Sequence, residues 1–375
     1  PLREIGYLCT NSKKDGRNLI FKDQYLDIDD FFYAYNHKAR IKKLKIGKVF
    51  VDDFDFSSLA KEDIENNRDI QTLIEALLTY RFIHKLQKKK IDVRLAIDWF
   101  EGHSIDKLWN LAIKNYYPKA KRIGYETFRS FPYYLSTFPI PIERDAGTIP
   151  DVFAVQGTDC IECIREFLPD QEVIVIPAFK YDHVWQYDPI PLKNSKRVLV
   201  AFPISLDSTS RILGMLINAY NYDARLKESG VEFVFKRHPK NSTDQILKKV
   251  NMNIPDGFKF TEEKSFPKIL KDSTVLITEA SSTCLEAMAY GISVIVIENA
   301  SGLTYDPIPK GTNEKLYKKL KTENNLTDSL INFLNLDKSN MKLQRELGLE
   351  FRKNFFEPVT KEGIYRFLDM GEKEQ

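Results

Sequence analysis

The chain reads as an α/β protein built of two Rossmann-like domains, on three observations. Apolar runs of strand length alternate with helical patterns along most of the chain, the sequence form of a parallel sheet covered by helices on both faces. The length, 375 residues, is enough for two compact domains. A proline-rich stretch without periodicity, Trp185 to Lys193, separates the runs into two sets and reads as a linker.

In the first set the strand candidates are Ile5 to Cys9, Lys48 to Val51, Val93 to Asp98, Arg122 to Tyr125, Val152 to Gln156 and Glu172 to Ile176. Ile70 to Gln87 carries the strongest helical pattern among them. In the second set they are Arg197 to Phe202, Val231 to Lys236, Phe258 to Phe260, Thr274 to Thr278 and Ser293 to Glu298. Their lengths suit buried parallel strands. A charged tail from Thr327 to Leu368 is helical in pattern. The boundary is placed near residue 190, giving an N-terminal domain of residues 1–190 and a C-terminal domain of residues 191–375.

Hydrophobic residues make up 43% of the chain, with only 16 Gly and 17 Pro, so it is too apolar to be disordered. Its 56 basic and 53 acidic residues leave a net charge of +3, which argues against a nucleic-acid partner. Basic patches occur at Lys42-Lys43-Lys45-Lys48, at Lys88-Lys89-Lys90 and at Lys315-Lys318-Lys319-Lys321. Solvated helix ends explain such patches by default, and rest on anionic lipid, at the inner membrane face, is the alternative. No run approaches the ~18 apolar residues of a membrane span, and no charged-then-apolar stretch of the secretory kind is read, so no leader is expected. The cytoplasm is the expected compartment. Four cysteines are too few and too scattered for a disulfide framework. The single C-x-x-C, Cys160 and Cys163, lies in a helical pattern with no second pair, so no metal is expected there.

The most informative stretch is Ile277 to Gly291, where a short apolar strand meets a helix through the turn Glu279-Ala280-Ser281-Ser282-Thr283. A helix N-terminus offers unpaired N–H groups and the positive end of a dipole, and the hydroxyls of Ser281, Ser282 and Thr283 add donors for a phosphate. Glu286, about one turn further on, is placed to accept from a ribose. Plain helix capping by the same hydroxyls is the competing account. Gly291 ends the helix before the next strand.

A second feature is the strand Val231 to Lys236, which runs straight into Arg237-His238-Pro239-Lys240. Pro239 keeps His238 extended at the carboxyl end of the strand, the edge where open α/β sheets bind ligands. With Lys236, Arg237 and Lys240 around it, His238 suits an anionic group. The two turns are expected on neighbouring strands.

Two further strand ends carry titratable groups. Asp98, Glu101 and His103 follow the strand ending at Asp98, a grouping suited to acid or base work, with Glu101 the first candidate to move a proton. Helix capping near Ser104 is the alternative for Asp98 and His103. The loop Pro203 to Arg211 follows the first strand of the second set, and its Asp207 is either a helix cap or a nucleophile. Asp52-Asp53-Phe54-Asp55 contains a D-x-D, read here as surface acid rather than a metal site. No metal is expected.

On His238-Pro239 and Ser281-Ser282-Thr283, the sequence resembles bacterial glycosyltransferases of the GT-B type, and within them the transferases that use CMP-activated ulosonic acids. Ile97 to His103, Lys119 to Tyr125 and Pro141-Ile142-Glu143 resemble the surface-carbohydrate branch that includes retaining β-Kdo transferases. The resemblance spans roughly residues 90 to 310. It implies two Rossmann-like domains facing across a cleft, a nucleotide-sugar donor, CMP-Kdo, as substrate rather than any resident cofactor, and a glycan or lipid-linked glycan acceptor for capsule, O-antigen or lipopolysaccharide. It also implies that Asp207 attacks the anomeric carbon if configuration is retained. Similar motif pairs in enzymes that use CDP-glycerol or CDP-ribitol leave polyol-phosphate transfer open. A sugar-nucleotide 2-epimerase and a glycosyltransferase-like scaffold remain the other readings. Glu279 and Glu286 sit one residue closer than the paired glutamates of many retaining sugar transferases, which speaks against a generic UDP- or GDP-sugar donor.

Overall fold

The computed structural model describes residues 20–66, 70–126, 137–186, 195–279, 281–299, 302 and 306–370. The expected strand Ile5 to Cys9, the boundary near residue 190 and Ala280 lie outside the described residues. The chain divides into two compact units, Pro1–Tyr125 with Pro139–Phe153, and Glu126–Phe138 with Ala154–Gln375.

In the first unit, helix α1 (Ile28–Tyr35) precedes a small antiparallel hairpin, Phe50–Val51 with Phe54–Asp55, and the D-x-D runs from its turn into the second strand, exposed throughout. Helix α2 (Ile70–Lys88) matches the strongest helical pattern of the sequence. It packs Phe82, Ile83 and Leu86 against Ala112 and Ile113 of α3 (Ser104–Tyr116). Strands β1 (Leu95–Trp99) and β2 (Lys121–Glu126) pair in parallel from Leu95↔Lys121 to Trp99↔Tyr125. Strand β3 (Val152–Val155) straddles the boundary of the two units, and β4 (Glu172–Val175) belongs to the second. Parallel pairing of sequential strands requires a crossover, and α3 is the one between β1 and β2.

The second unit holds a six-stranded parallel sheet. Its strands are β5 (Arg197–Ala201), β6 (Glu232–Lys236), β7 (Phe258–Phe260), β8 (Val275–Thr278), β9 (Ser293–Ile297) and β10 (Tyr317–Leu320). The spatial order is β10-β9-β8-β5-β6-β7. The chain therefore builds outward from β5 through β6 and β7, then returns to the other side of β5 and builds outward again. The reversal lies between β5 and β8, which are direct neighbours in register Val198↔Val275. The core is the apolar middle of these strands. Val198, Val200, Phe233, Phe235, Val275, Ile277, Ile295 and Ile297 meet Ile212, Leu213 and Leu216 of α4 (Leu206–Tyr222).

Two sequence expectations are corrected here. The turns after β6 and β8 are not on adjacent strands, because β5 lies between them. The basic run Lys315 to Lys321 is not a helix end: Lys318 and Lys319 lie in the edge strand β10, paired Val294↔Tyr317 to Ile297↔Leu320, and Lys315 and Lys321 flank it. An edge strand has only one ladder neighbour, so it carries Lys318 and Lys319 without burying their ammonium groups, and charge on an edge also deters pairing with other chains.

Behind the sheet, helix α5 (Thr283–Ala289) ends at Gly291, whose φ of +74° is the left-handed conformation expected of a terminating glycine. The tail forms three helices, Leu326–Leu334, α6 (Lys338–Phe355) and Lys361–Phe367, matching the helical pattern read from Thr327 onward.

Candidate functional site at the strand ends

In an open parallel sheet, ligands bind beyond the carboxyl ends of the strands where the strand order reverses, because the loops on either side diverge and leave a crevice. Here that point lies between β5 and β8, so the loops after these two strands flank it.

After β8, the backbone enters α5 through Glu279, Ser281 and Ser282. The Ser281 hydroxyl accepts from the Thr283 amide at 3.3 Å and from the Thr283 hydroxyl at 3.0 Å, while its carbonyl accepts from Cys284 N–H at 3.2 Å. Ser281 thus shapes the turn ahead of the helix, while Ser282, at the N-cap position, makes no side-chain cap hydrogen bond. Glu279 is 6% exposed at the end of β8, and Arg211 of α4 reaches its carboxylate at 3.3 Å and the Glu298 carbonyl at 2.6 Å. Arg211 closes the crevice on the α4 side. The sequence reading did not single it out as a site residue, since an arginine in the first turns of an amphipathic helix has no local mark.

After β5, the loop turns into α4 at Ser205, whose hydroxyl accepts from Ser208 N–H at 3.3 Å. Ser205, not Asp207, is the cap. The Asp207 side chain is 85% exposed and pairs with Lys249 at 2.9 Å.

After β6, one strand further along, His238 is half-buried. Lys240 N–H donates to its Nδ1 at 3.2 Å. In the neutral ring that bond places the proton on Nε2, so the imidazole presents an N–H donor. The Lys236 ammonium donates to the Glu263 carbonyl at 2.6 Å, and the Arg237 guanidinium donates to the Asn241 carbonyl at 3.2 Å and the Glu262 carboxylate at 3.3 Å. These two cations brace their own loop. Asn241 Nδ2 donates to the Ile204 carbonyl at 3.0 Å, which stitches the loop after β6 to the loop after β5. Beside it lies a depression of about 360 Å³ lined by Arg237, Lys240, Asn241 and Ser242.

Glu286 of α5, expected to face a ribose, has a partner that the sequence reading missed. His183 Nε2 lies 2.7 Å from Glu286 Oε2. The two residues are 103 positions apart, so no spacing rule connects them.

In the first unit, the structure gathers the residues at the carboxyl end of β1. Trp99 Nε1 donates to one Glu101 oxygen at 2.9 Å, and His103 Nε2 lies 3.3 Å from the other. The carboxylate of Asp106, another residue not foreseen, accepts from the backbone N–H groups of Glu101 at 2.9 Å and His103 at 3.0 Å, fixing the loop. Asp98 accepts from Asn110 Nδ2 at 2.9 Å, while its other oxygen is buried without a hydrogen-bond partner. Burial, reinforced by the nearby charge of Asp106, pushes the Asp98 carboxyl up to about 8.

No protein-family model and no curated protein matches the chain. Solved structures do. The S. aureus MnaA–UDP co-structure superposes with a TM-score of 0.50 at 14% identity, covering 83% of this chain and 89% of that one. An α,α-trehalose-phosphate synthase (UDP-forming) from Burkholderia xenovorans, in complex with glucose-6-phosphate, gives a TM-score of 0.50 at 9% identity, covering 92% of this chain and 84% of that one. The GtfA/B complex gives a TM-score of 0.51 at 11% identity, over 79% of this chain and 60% of that one. Identities this low speak for architecture alone: the protein has two parallel-sheet α/β domains of the GT-B fold.

Proposed function

We propose that the protein is a nucleotide-sugar-dependent glycosyltransferase, with domains of residues 1–190 and 191–375. The observation that carries this reading is the reversal of strand order between β5 and β8, which sets the Ser281-Ser282-Thr283 turn at the crevice of the sheet. The His238 turn lies two strands away, roughly 10 Å at the usual strand spacing. That span suits one nucleotide lying across the end of β5. The donor phosphate meets the Nε2–H of His238 and the hydroxyls of Ser281, Ser282 and Thr283, Glu286 takes the ribose, and Lys236 and Arg237 hold the loop and add positive potential.

For the finer reading, the donor is a CMP-activated ulosonic acid such as Kdo and the acceptor a surface glycan or its lipid-linked precursor. Glu101, held between Trp99 and His103, takes the acceptor proton, and Asp98, protonated near neutrality, adds no charge of its own at the end of β1. Asp207 is the carboxylate assigned to the anomeric carbon if configuration is retained, and reaching it requires release from Lys249. No metal is assigned a role, and no helix among the described residues is long and apolar enough to cross a membrane. Contact with the inner membrane face is therefore proposed as peripheral.

The test is a thermal-shift screen of CMP-Kdo, CMP, CDP-glycerol and UDP-N-acetylglucosamine, followed by transfer assays with His238→Ala. A ligand that binds the native state raises the melting temperature. A CMP-specific shift with transfer lost in His238→Ala supports the reading, and an unchanged transfer rate in that folded variant sinks it. The 2-epimerase alternative is favoured by the carboxylates and imidazoles grouped at the strand ends, and it is recognised by a new sugar nucleotide formed from donor without acceptor.

A further inference from the structure

We infer that His183 is a positioning residue for ribose recognition, holding the Glu286 carboxylate so that its second oxygen can accept from a nucleotide hydroxyl. The inference rests on the reading of the crevice beside α5 as a nucleotide site.

His183 stands on a short 3₁₀ turn, Phe179–Val184, that is anchored from behind. Its carbonyl accepts from the Tyr290 hydroxyl at 3.0 Å. Two residues on, Trp185 Nε1 donates to the Phe356 carbonyl at 3.0 Å. The Arg352 guanidinium lies 5.7 Å from the Trp185 ring and 5.5 Å from the Tyr290 ring. Tyr181 and Val184, on either side of His183, are 1% and 0% exposed. The imidazole is thus delivered to Glu286 by a rigid support.

At Glu286 the geometry leaves one half of the carboxylate in reserve. Oε2 takes His183, and among the described residues the carboxylate has no second side-chain partner. An ionised carboxylate accepts at two oxygens, so Oε1 keeps its lone pairs for an incoming hydroxyl. The pair is not sealed away, since the side chains of His183 and Glu286 are 28% and 11% exposed. A glutamate alone samples many rotamers, and fixing one of them on binding costs entropy. With His183 in place, much of that ordering precedes the ligand. A merely structural clamp between the 3₁₀ turn and α5 would use the same bond but would not distinguish one sugar from another.

The experiment is calorimetric titration of the full chain with CMP and UDP, each beside its 2′-deoxy and 3′-deoxy counterparts. The wild type is expected to prefer at least one ribonucleotide over a deoxy form. His183→Ala should weaken that ribonucleotide roughly tenfold, the scale of a hydrogen bond to a charged group, and leave the deoxy form unchanged, so that the preference disappears. His183→Gln, which still offers an N–H to Glu286, should keep most of it. Equal weakening of ribo and deoxy forms, or an intact preference in His183→Ala, overturns the inference and leaves the pair a clamp. Should His183→Ala lose its cooperative melting, Glu286→Met carries the test beside His183→Gln. The preference is then expected to vanish in Glu286→Met and persist in His183→Gln, and its survival in Glu286→Met overturns the inference. A wild type that binds none of these nucleotides overturns the nucleotide reading itself, and this inference falls with it.

Discussion

Arg211 binds two strand ends at once: its Nη2 lies 2.6 Å from the Glu298 carbonyl beyond β9 and 3.3 Å from the Glu279 carboxylate at the end of β8. One guanidinium on α4 therefore fixes the side of the crevice opposite the Ser281 turn. Removing it leaves the Glu279 carboxylate buried without its counter-charge. Arg211→Met is expected to lower stability by about 2–4 kcal/mol, somewhat under a fully buried pair because the Arg211 side chain is 24% exposed. Chemical denaturation measures this, and adding Glu279→Gln should recover most of the loss. A double variant as unstable as the sum of the singles would show that the two groups do not interact.

Asp98 makes stability depend on pH in an unusual direction for a carboxylate. Its folded pKa, pushed up to about 8, lies above the unfolded value near 3.9, so between these limits the folded state holds a proton that the unfolded state has released. The contribution is complete below about pH 4 and declines as pH rises, until it is gone near pH 8. Asp98→Asn removes the titration. Melting curves at pH 5, 7 and 9 should show the variant gaining on the wild type as pH rises. A difference that stays constant across that range would refute the assignment.

The contact between α5 and α6 depends on two glycines meeting backbone to backbone. A Cβ at Gly348 would stand 2.6 Å from Gly291 Cα and 2.8 Å from the Met288 carbonyl, and the obstruction is main chain that cannot swing aside. Gly348→Ala should therefore cost about 1–3 kcal/mol of overpacking, despite the better helix propensity of alanine. A neutral or stabilising result in thermal melting would mean that α6 shifts freely along α5.

Cysteine reactivity should separate sharply in the native protein. Cys284 is fully buried at the start of α5, with its thiol 3.8 Å from the Pro307 carbonyl, and burial pushes that thiol far above the ordinary cysteine range. Cys163 is partly exposed. Thiolate is the reactive form, so native iodoacetamide labelling at pH 8 should modify Cys163 well before Cys284, with Cys284 reacting only on denaturation. Early labelling of Cys284 would indicate that the α5 turn opens.

The chain itself determined the parallel-sheet architecture and the two turns at strand ends, because both are local. Val231 to Lys236 and Thr274 to Thr278 are apolar runs whose burial needs no knowledge of their partners, and Pro239 and the hydroxyls of Ser281 and Thr283 act within a few residues of themselves. What the tertiary structure decided is everything that depends on pairing across long separations. Strand order inserts β5 between the two turns, and β10 is a strand only because β9 offers it a ladder, against the polar character of Lys318 and Lys319. Ser205 takes the cap that the sequence left open to Asp207, which follows from backbone geometry at the helix entry. The bonds of His183 to Glu286 and of Arg211 to Glu279 join residues with no common period, since contacts of that kind are selected by packing and desolvation in the folded chain rather than by neighbours in sequence.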